Sequence, residues 1–435
     1  MEIWWINHHA RLPIVPGGTR HYNLAKELKK LGHNTTIING TFDHLGPMLP
    51  FKEKKHIHNP IKTKYNGVLF YSIPTPKYKG SSSLGRVWSM IIFMLKTISK
   101  LKNTPTLKRP DVIIGSTVHP LAALAGLILA KIHKVPFIYE VRDLWPLTLV
   151  ELGKIPSRHP IVIFFSLLDK VLSKSSSTII TTAPLMKTYY KSKFHLPEGK
   201  FLWITNGSDL VFSQKNTLNK NISSPIKIGY SGSLGEANGV LELMKGLKKT
   251  PKEIVRSFQF HIIGDGPQKE EIKRLAAKLN LNMVFHNPVP KKILSEKLSN
   301  FDVLLVMLQP SPIYRYGISL NKIADYHKAG KPIAMIGRCA ANPLDQSHAG
   351  FKVNSLKELP ALLRNISKAT RSELIKMGEK GRIYGEKNYE WSTLAKKLDI
   401  RLVKIAKTNT QITLKKEGEP SRSRLKSPVF DGNIR

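Results

Sequence analysis

Between Tyr316 and Pro332 the chain reads Tyr-Gly-Ile-Ser-Leu-Asn-Lys-Ile-Ala-Asp-Tyr-His-Lys-Ala-Gly-Lys-Pro. The pattern is a loop entering a short helix that stops at Gly330 and gives way to an apolar run at 332–336. Ser319 fits an N-cap, and the first-turn amides after it have no intrahelical partners. The positive end of the helix dipole, together with Lys322, would favour a bound anion. Asp325 lies about one turn beyond Asn321, where a carboxylate could accept hydrogen bonds from sugar hydroxyls. A diphosphate loop beside a ribose-holding carboxylate describes a nucleotide-sugar site. On this segment alone, an ordinary surface helix with a capping Ser and a Gly stop fits equally.

Further candidates fall where strands are expected to end, the place where doubly wound sheets bind ligands. Gly17 and Gly18, in Pro-Gly-Gly-Thr after the first strand, let backbone approach a ligand before a helix start and are assigned to the donor side. His119, in Ser-Thr-Val-His-Pro, precedes a helix and would point into a cleft. The segment Tyr-Glu-Val-Arg-Asp-Leu-Trp-Pro places Glu140, Arg142 and Asp143 at a strand end. Glu140 and Asp143 could orient His119 or an acceptor hydroxyl, and Arg142 could meet a phosphate; alternatively Arg142 and Asp143 form only a structural ion pair. Two more loops, Ser231-Gly232-Ser233 and Gly264-Asp265-Gly266, would face the same cleft as Ser319.

These residues need a frame, and the hydrophobic pattern supplies one. Short apolar runs at 2–6, 35–39, 68–73, 112–115, 137–141 and 178–182 alternate with helix-period segments, and runs at 226–230, 258–264, 282–285, 303–307, 332–336 and 351–353 repeat the alternation. Between them, 205–225 is rich in Asn and Ser and suits a hinge. The expected architecture is α/β, two doubly wound Rossmann-like domains facing across a cleft. The expected domains are residues 1–204 and 226–390, with a helix over 391–407 returning to the first domain and a basic tail at 408–435 expected to lack fixed structure. A length of 435 residues agrees, since one core seldom exceeds about 300 residues.

Composition narrows the setting. A single cysteine, Cys339, excludes an intramolecular disulfide framework and points to a reducing cytoplasm. The chain opens into a strand containing Glu2 rather than a basic start with an apolar core, so no signal peptide is expected. Apolar stretches such as 121–130 and 161–168 fall short of the roughly 20 residues a membrane span needs. Lys and Arg exceed Asp and Glu by 39 charges. From 54 to 110 there are twelve basic residues and no acidic one. Inside that stretch, 84–101 is helix-like and apolar, with Trp88 and Phe93 as possible interfacial anchors. A basic amphipathic segment suits an anionic membrane surface, although a packed helix with a solvated basic face has the same pattern. Nucleic acid is not expected, because no recognisable binding motif organises the charge.

Taken in order and spacing, the motifs resemble those of a family 4 glycosyltransferase of GT-B fold from Met1 to about Lys404. The carriers are Gly17-Gly18; Arg109-Pro110-Asp111-Val112 leading to His119-Pro120; the segment from Glu140 to Pro146; Asn206-Gly207-Ser208-Asp209; Tyr230 to Gly235; Ile263 to Pro267; and Ser319 to Tyr326 before Ala329-Gly330-Lys331-Pro332. The subgroup most similar is the WbuB-like transferases of bacterial surface-polysaccharide and lipopolysaccharide assembly, which use N-acetylated deoxyamino sugars. The resemblance implies retaining transfer from a nucleoside diphosphate sugar, a UDP-sugar favoured, to a polyprenyl-diphosphate-linked or other lipid-linked glycan, with no cofactor and no metal, the acceptor bound mostly by the 1–204 domain and the nucleotide sugar by the 226–390 domain. The setting would be peripheral, at the inner face of the plasma membrane. It also implies that the amides of Ser319, Leu320, Asn321 and Lys322 cradle the diphosphate, that Asp325 holds the ribose, that Val289 lies near the base and that His119 contacts the reacting sugar or hydroxyl. Two departures stand out. The first of two glutamates usual in the family is Gly317 and the second is Asp325, and the usual Arg and Lys of the Gly-rich loop are Ser233 and Asn238. Lys322, Arg315 or Arg142 would then supply the missing charge. An epimerase of the same fold and a non-catalytic polyanion-binding protein are the alternatives.

Overall fold

The computed structural model describes residues 1–15, 18–43, 46–48, 59–78, 84–209 and 225–417, so Gly17, Lys54, Lys55, Lys79 and most of the hinge lie outside the described residues. The first domain contains β1 (Glu2–Ile6), β2 (Asn34–Gly40), β3 (Phe42–Asp43), β4 (Gly46–Pro47), β5 (Ile61–Tyr65), β6 (Val68–Ile73), β7 (Val112–Ser116), β8 (Phe137–Val141), β9 (Thr178–Thr181) and β10 (Phe201–Trp203). Eight of these form one sheet in the order β10-β9-β8-β7-β1-β2-β6-β5. All its pairs are parallel except β5 with β6. The second domain holds β11 (Ile226–Ser231), β12 (Phe258–Ile263), β13 (Met283–His286), β14 (Val303–Met307), β15 (Ile333–Ile336) and β16 (Gly350–Val353), in the all-parallel order β13-β12-β11-β14-β15-β16.

The central strands are apolar on both faces because helices cover both faces. Alternation along β1 shows the division. Trp4 and Ile6 pack with Ile113, Phe93, Leu127 and Leu168, under the helices Leu84–Leu101, Pro120–His133 and Pro160–Ser175. Ile3 and Trp5 face the other way, with Leu24, Leu28, Leu394, Leu398 and Leu402. The last three belong to the helix Trp391–Glu417, which therefore completes the core of the first domain. That helix runs ten residues beyond the expected end at 407, because no Gly or Pro interrupts it before Gly418. The expected unstructured tail is thus corrected at its start; 418–435 lie outside the described residues.

Strand order switches direction between β1 and β7 in the first domain and between β11 and β14 in the second, although the strands stay parallel there. Loops leaving these strands at their carboxyl ends open a crevice. All twelve expected strands are present, while β3, β4, β5 and β10 went unread. The edge strand β5, Ile-Lys-Thr-Lys-Tyr, carries lysines on its exposed positions and sits in the basic run that reads as surface.

Candidate active site

In the second domain, the loop after β11 and the turn after β12 are zipped together by backbone. Gly232 N donates to Ile263 O at 3.0 Å and Leu234 N to Asp265 O at 2.8 Å. A Cβ on Gly264 would lie 1.9 Å from Gly232 O, so this approach needs glycine. Ser231 N donates to Tyr326 Oη at 2.7 Å, tying the loop to the helix Asn321–Lys328. Ser231, Gly232, Ser233, Gly264, Asp265 and Gly266 therefore do converge, although the Asp265 side chain is exposed, accepting from Gly266 N within its own turn and pairing with Lys269 at 3.7 Å.

Lys322 completes this corner. Its ammonium donates to Tyr230 Oη and to Asn238 Oδ1, each at 3.0 Å, and lies 4.3 Å from the Tyr230 ring centre. Burial pushes it down to about 8. Asn238 is one of the two positions where a family cation is replaced, and the cation present reaches that place from the helix instead. Gly317, the missing glutamate, is equally built in: its φ is +87° and a Cβ would meet Pro184 Cδ at 2.7 Å.

One expectation for this loop needs correction. Ser319 is not an N-cap; Leu320 holds that position, without a side-chain cap. The Ser319 hydroxyl instead lies 3.1 Å from Thr205 Oγ1 and accepts from Asn206 N at 3.3 Å, and its carbonyl accepts from Asn206 Nδ2 at 2.9 Å. The loop is thereby latched to the start of the hinge. Asp325 is buried, accepting from Ser208 Oγ at 2.7 Å and from Lys291 Nζ at 3.0 Å, so ribose hydroxyls would compete with Lys291. Arg315 is paired across the domains with Glu151 at 2.6 Å. Val289 packs on the cluster of Ile263, Leu298 and Ile323. Asn321 and Gly18 are exposed.

On the facing domain, Arg142 and Asp143 line the cleft together with Ser319 and Leu320. No salt bridge joins Arg142 to Asp143 among the described residues, so the structural ion pair is not formed. Asp143 reaches water inside the cleft, but protein surrounds the cleft, and lost solvation raises its carboxyl despite Arg142 and Arg86.

Glu140 and His119 sit deeper than expected. Glu140 is fully buried, accepting from Arg20 Nε at 2.9 Å and Trp5 Nε1 at 3.1 Å, with His21 Nε2 at 3.0 Å. Burial alone would raise its carboxyl, but Arg20, His21 and Arg142 outweigh that and hold it well below the usual range. Arg20 also donates to the carbonyls of Ile204 and Thr205. Glu140 therefore fastens the sheet to the hinge and orients neither His119 nor a cleft hydroxyl.

His119, also fully buried, does not point into open cleft. Its Nδ1 accepts from Ala122 N at 3.3 Å, capping the helix Pro120–His133, and its Nε2 lies 2.9 Å from His8 Nδ1. Burial, with His9 and Arg86 nearby, keeps His119 neutral by holding it well below the imidazole range. The network then assigns the proton to Nε2, donated to His8. His8, stacked on Phe93 at 4.3 Å, was missed in the sequence; a His-His pair one residue beyond β1 was the available signal. Nothing local marks Lys291 or Thr205 as partners of the site.

Two Rossmann-like sheets facing across a cleft define the GT-B glycosyltransferase architecture. Residues 17–212 match the family model described as Glycosyltransferase Family 4, and residues 225–371 match Glycosyl transferases group 1. Both halves thus carry glycosyltransferase domains, and the chain belongs to the glycosyltransferases, with a family 4 domain in its first half. Similar solved structures include sucrose-phosphate synthase from Thermosynechococcus elongatus, at 15% identity over 95% of this chain and 99% of that one, TM-score 0.68. Anabaena Alr3699/HepE in complex with UDP and glucose is 14% identical over 93% and 100% of the two chains, TM-score 0.62. WaaG, a glycosyltransferase involved in lipopolysaccharide biosynthesis, is 14% identical over 92% and 99%, TM-score 0.60. Among curated proteins no sequence relative matches.

Proposed function

We propose that the chain is a retaining, metal-independent glycosyltransferase. It moves a sugar, in the favoured case an N-acetylated deoxyamino sugar on UDP, to a polyprenyl-diphosphate-linked or other lipid-linked glycan. The reaction belongs to surface polysaccharide synthesis at the cytoplasmic face of a membrane. The observation that carries this reading is Lys322: a largely enclosed ammonium whose hydrogen-bond partners, Tyr230 and Asn238, are both uncharged. An enclosed cation beside a Gly-rich loop is stabilised when an anion arrives. As the bond from the anomeric carbon breaks, the electron pair leaves with the diphosphate, and Lys322 with the helix-start amides offsets that charge. Arg142, on the opposite wall, is the second cation able to reach it. Support for a UDP donor comes from the fold shared with HepE, whose structure holds UDP and glucose. No helix among the described residues is long and apolar enough to cross a membrane, so a lipid-linked acceptor would be met at the surface.

The test is incubation of the purified chain with radiolabelled UDP-sugars and a lipid extract, with and without EDTA. Label entering lipid in both conditions is expected. Interconversion of free donor would indicate an epimerase, no reaction of any donor a binding protein, and EDTA-abolished transfer a metal-dependent enzyme.

A further inference from the structure

The apolar surface of the first domain is not confined to the basic helix 84–101. The helix Pro160–Ser175 turns Leu168, Leu172 and Val162 inward and leaves Ile161, Ile163, Phe164, Leu167 and Val171 exposed, Leu167 at 59% and Phe164 at 53%. A soluble helix normally puts charge on its outer face, and five large apolar residues at helical spacing make a patch of the kind that marks an interaction surface.

What covers it is indicated by the charges around it. Lys154, Arg158, Lys170 and Lys174 are exposed on or beside this helix, and the only acid from 152 to 175, Asp169, is buried inward. The outer face is therefore apolar and purely cationic, which complements an anionic lipid surface: apolar side chains enter the acyl boundary while lysines meet headgroups. Position agrees. The helices 84–101 and 160–175 flank the helix 120–133 in one layer on the same side of the sheet, and Trp88, at 55% exposure, lies on the outside of the first. The surface also connects to the site. Leu152 is 57% exposed yet lines the cleft with Leu144 and Thr148, and Phe165 packs edge-on against Trp145, two residues after Asp143.

We propose that the helix Pro160–Ser175, continued through Leu152, is a second membrane-inserting element that receives the hydrocarbon part of the lipid-linked acceptor and leads it to the cleft. The inference rests on the lipid-linked acceptor proposed above and assigns the surface where that lipid is met.

The probe is a liposome of phosphatidylglycerol and phosphatidylcholine, and the variant is Phe164→Glu/Leu167→Glu, both positions exposed and outside the core. Flotation in high salt, which leaves only the apolar contribution, should fall at least about tenfold in the variant. Its melting temperature and UDP binding should be unchanged. Transfer to a long-chain lipid acceptor should fall with flotation, while transfer to a water-soluble short-chain acceptor should persist. Unaltered flotation would overturn the proposal, as would a dimer in lipid-free buffer that the same variant dissociates, since the face would then belong to a second copy. Flotation is read without any transfer, so an enzyme inactive on every donor would sink the functional reading and leave this result standing.

Discussion

Lys322 is the residue on which donor chemistry is expected to turn, because it supplies from the helix the charge that Ser233 and Asn238 do not supply from the loop. Lys322→Ala should lower turnover by on the order of 100-fold, the scale seen when one transition-state donor is lost; unchanged turnover in a folded variant would remove the assignment. Its ammonium titrates near 8, so in the free enzyme the cation is present below that pH and lost above it. The kcat/KM for donor should therefore decline as pH rises through about 8, and Lys322→Arg, charged throughout, should abolish that decline. His119 calls for a different experiment, since it both caps a helix and holds His8. His119→Asn retains an acceptor for Ala122 N and loses the His8 contact, whereas His119→Ala loses both, with the cap worth about 1 kcal/mol. If the His8–His119 pair positions the reacting groups, both variants should lose turnover while UDP affinity, read by calorimetry, stays near the parent's. A parallel loss of UDP affinity would place His119 in the fold or the nucleotide pocket. His119 and Lys322 were legible as candidates because each follows a strand or opens a helix. Their contacts were not, since a sequence does not show which way a side chain turns.

Among the elements, the helix Pro160–Ser175 carries opposite demands on its two faces. Outward it is apolar; inward it buries Asp169, whose Oδ1 accepts from Tyr139 Oη at 2.9 Å and Tyr190 Oη at 3.0 Å. Burial outweighs these bonds and the nearby Lys193, pushing the carboxyl up to about 7. In the unfolded chain it would titrate near 3.9, so between roughly pH 4 and 7 the folded state holds a proton that the unfolded state has released. Stability from this group is present at low pH and declines as pH rises through 7, by about 4 kcal/mol in total. Asp169→Asn, which keeps an acceptor for both tyrosines and cannot ionise, should flatten that decline. Calorimetric melting at pH 5 and 7.5 decides it: the parent should lose stability between the two and the variant should not, and parallel behaviour would refute the shift. The sequence marks this helix by its apolar period alone; that one of its charged residues faces the core follows only from the sheet beneath it.

At the scale of the whole molecule, charge and domain closure act together. The basic stretch from 54 to 110 and the helix 84–101 should draw the enzyme to anionic lipid, with attraction screened by salt over about 8 to 10 Å. Lys100 and Lys102 are exposed, while Lys96 is half-buried and donates to Pro74 O. Reversing Lys96, Lys100 and Lys102 to Glu should reduce flotation on anionic liposomes at low salt and leave activity on a soluble acceptor intact. Undiminished flotation, or equal binding to neutral liposomes, would assign those lysines to solvation only. Across the cleft, Arg315 is half-exposed where it meets Glu151, so water screens the pair and it is worth about 1 kcal/mol, and closure depends more on the hinge contacts of Ser319 and Ser208. By itself the sequence determined two α/β halves, twelve strands, the loops at their carboxyl ends and the cationic balance, because hydrophobic period, glycine placement and charge are local properties of the chain. Only the tertiary structure decided the partners: Glu140 with Arg20, 120 residues away; Ser319 with Thr205, 114 away; and Lys322 with Asn238, 84 away. Each pair forms because packing removes the groups from water and leaves one another as the available hydrogen-bond partners, a condition that exists only once the sheets and helices have met.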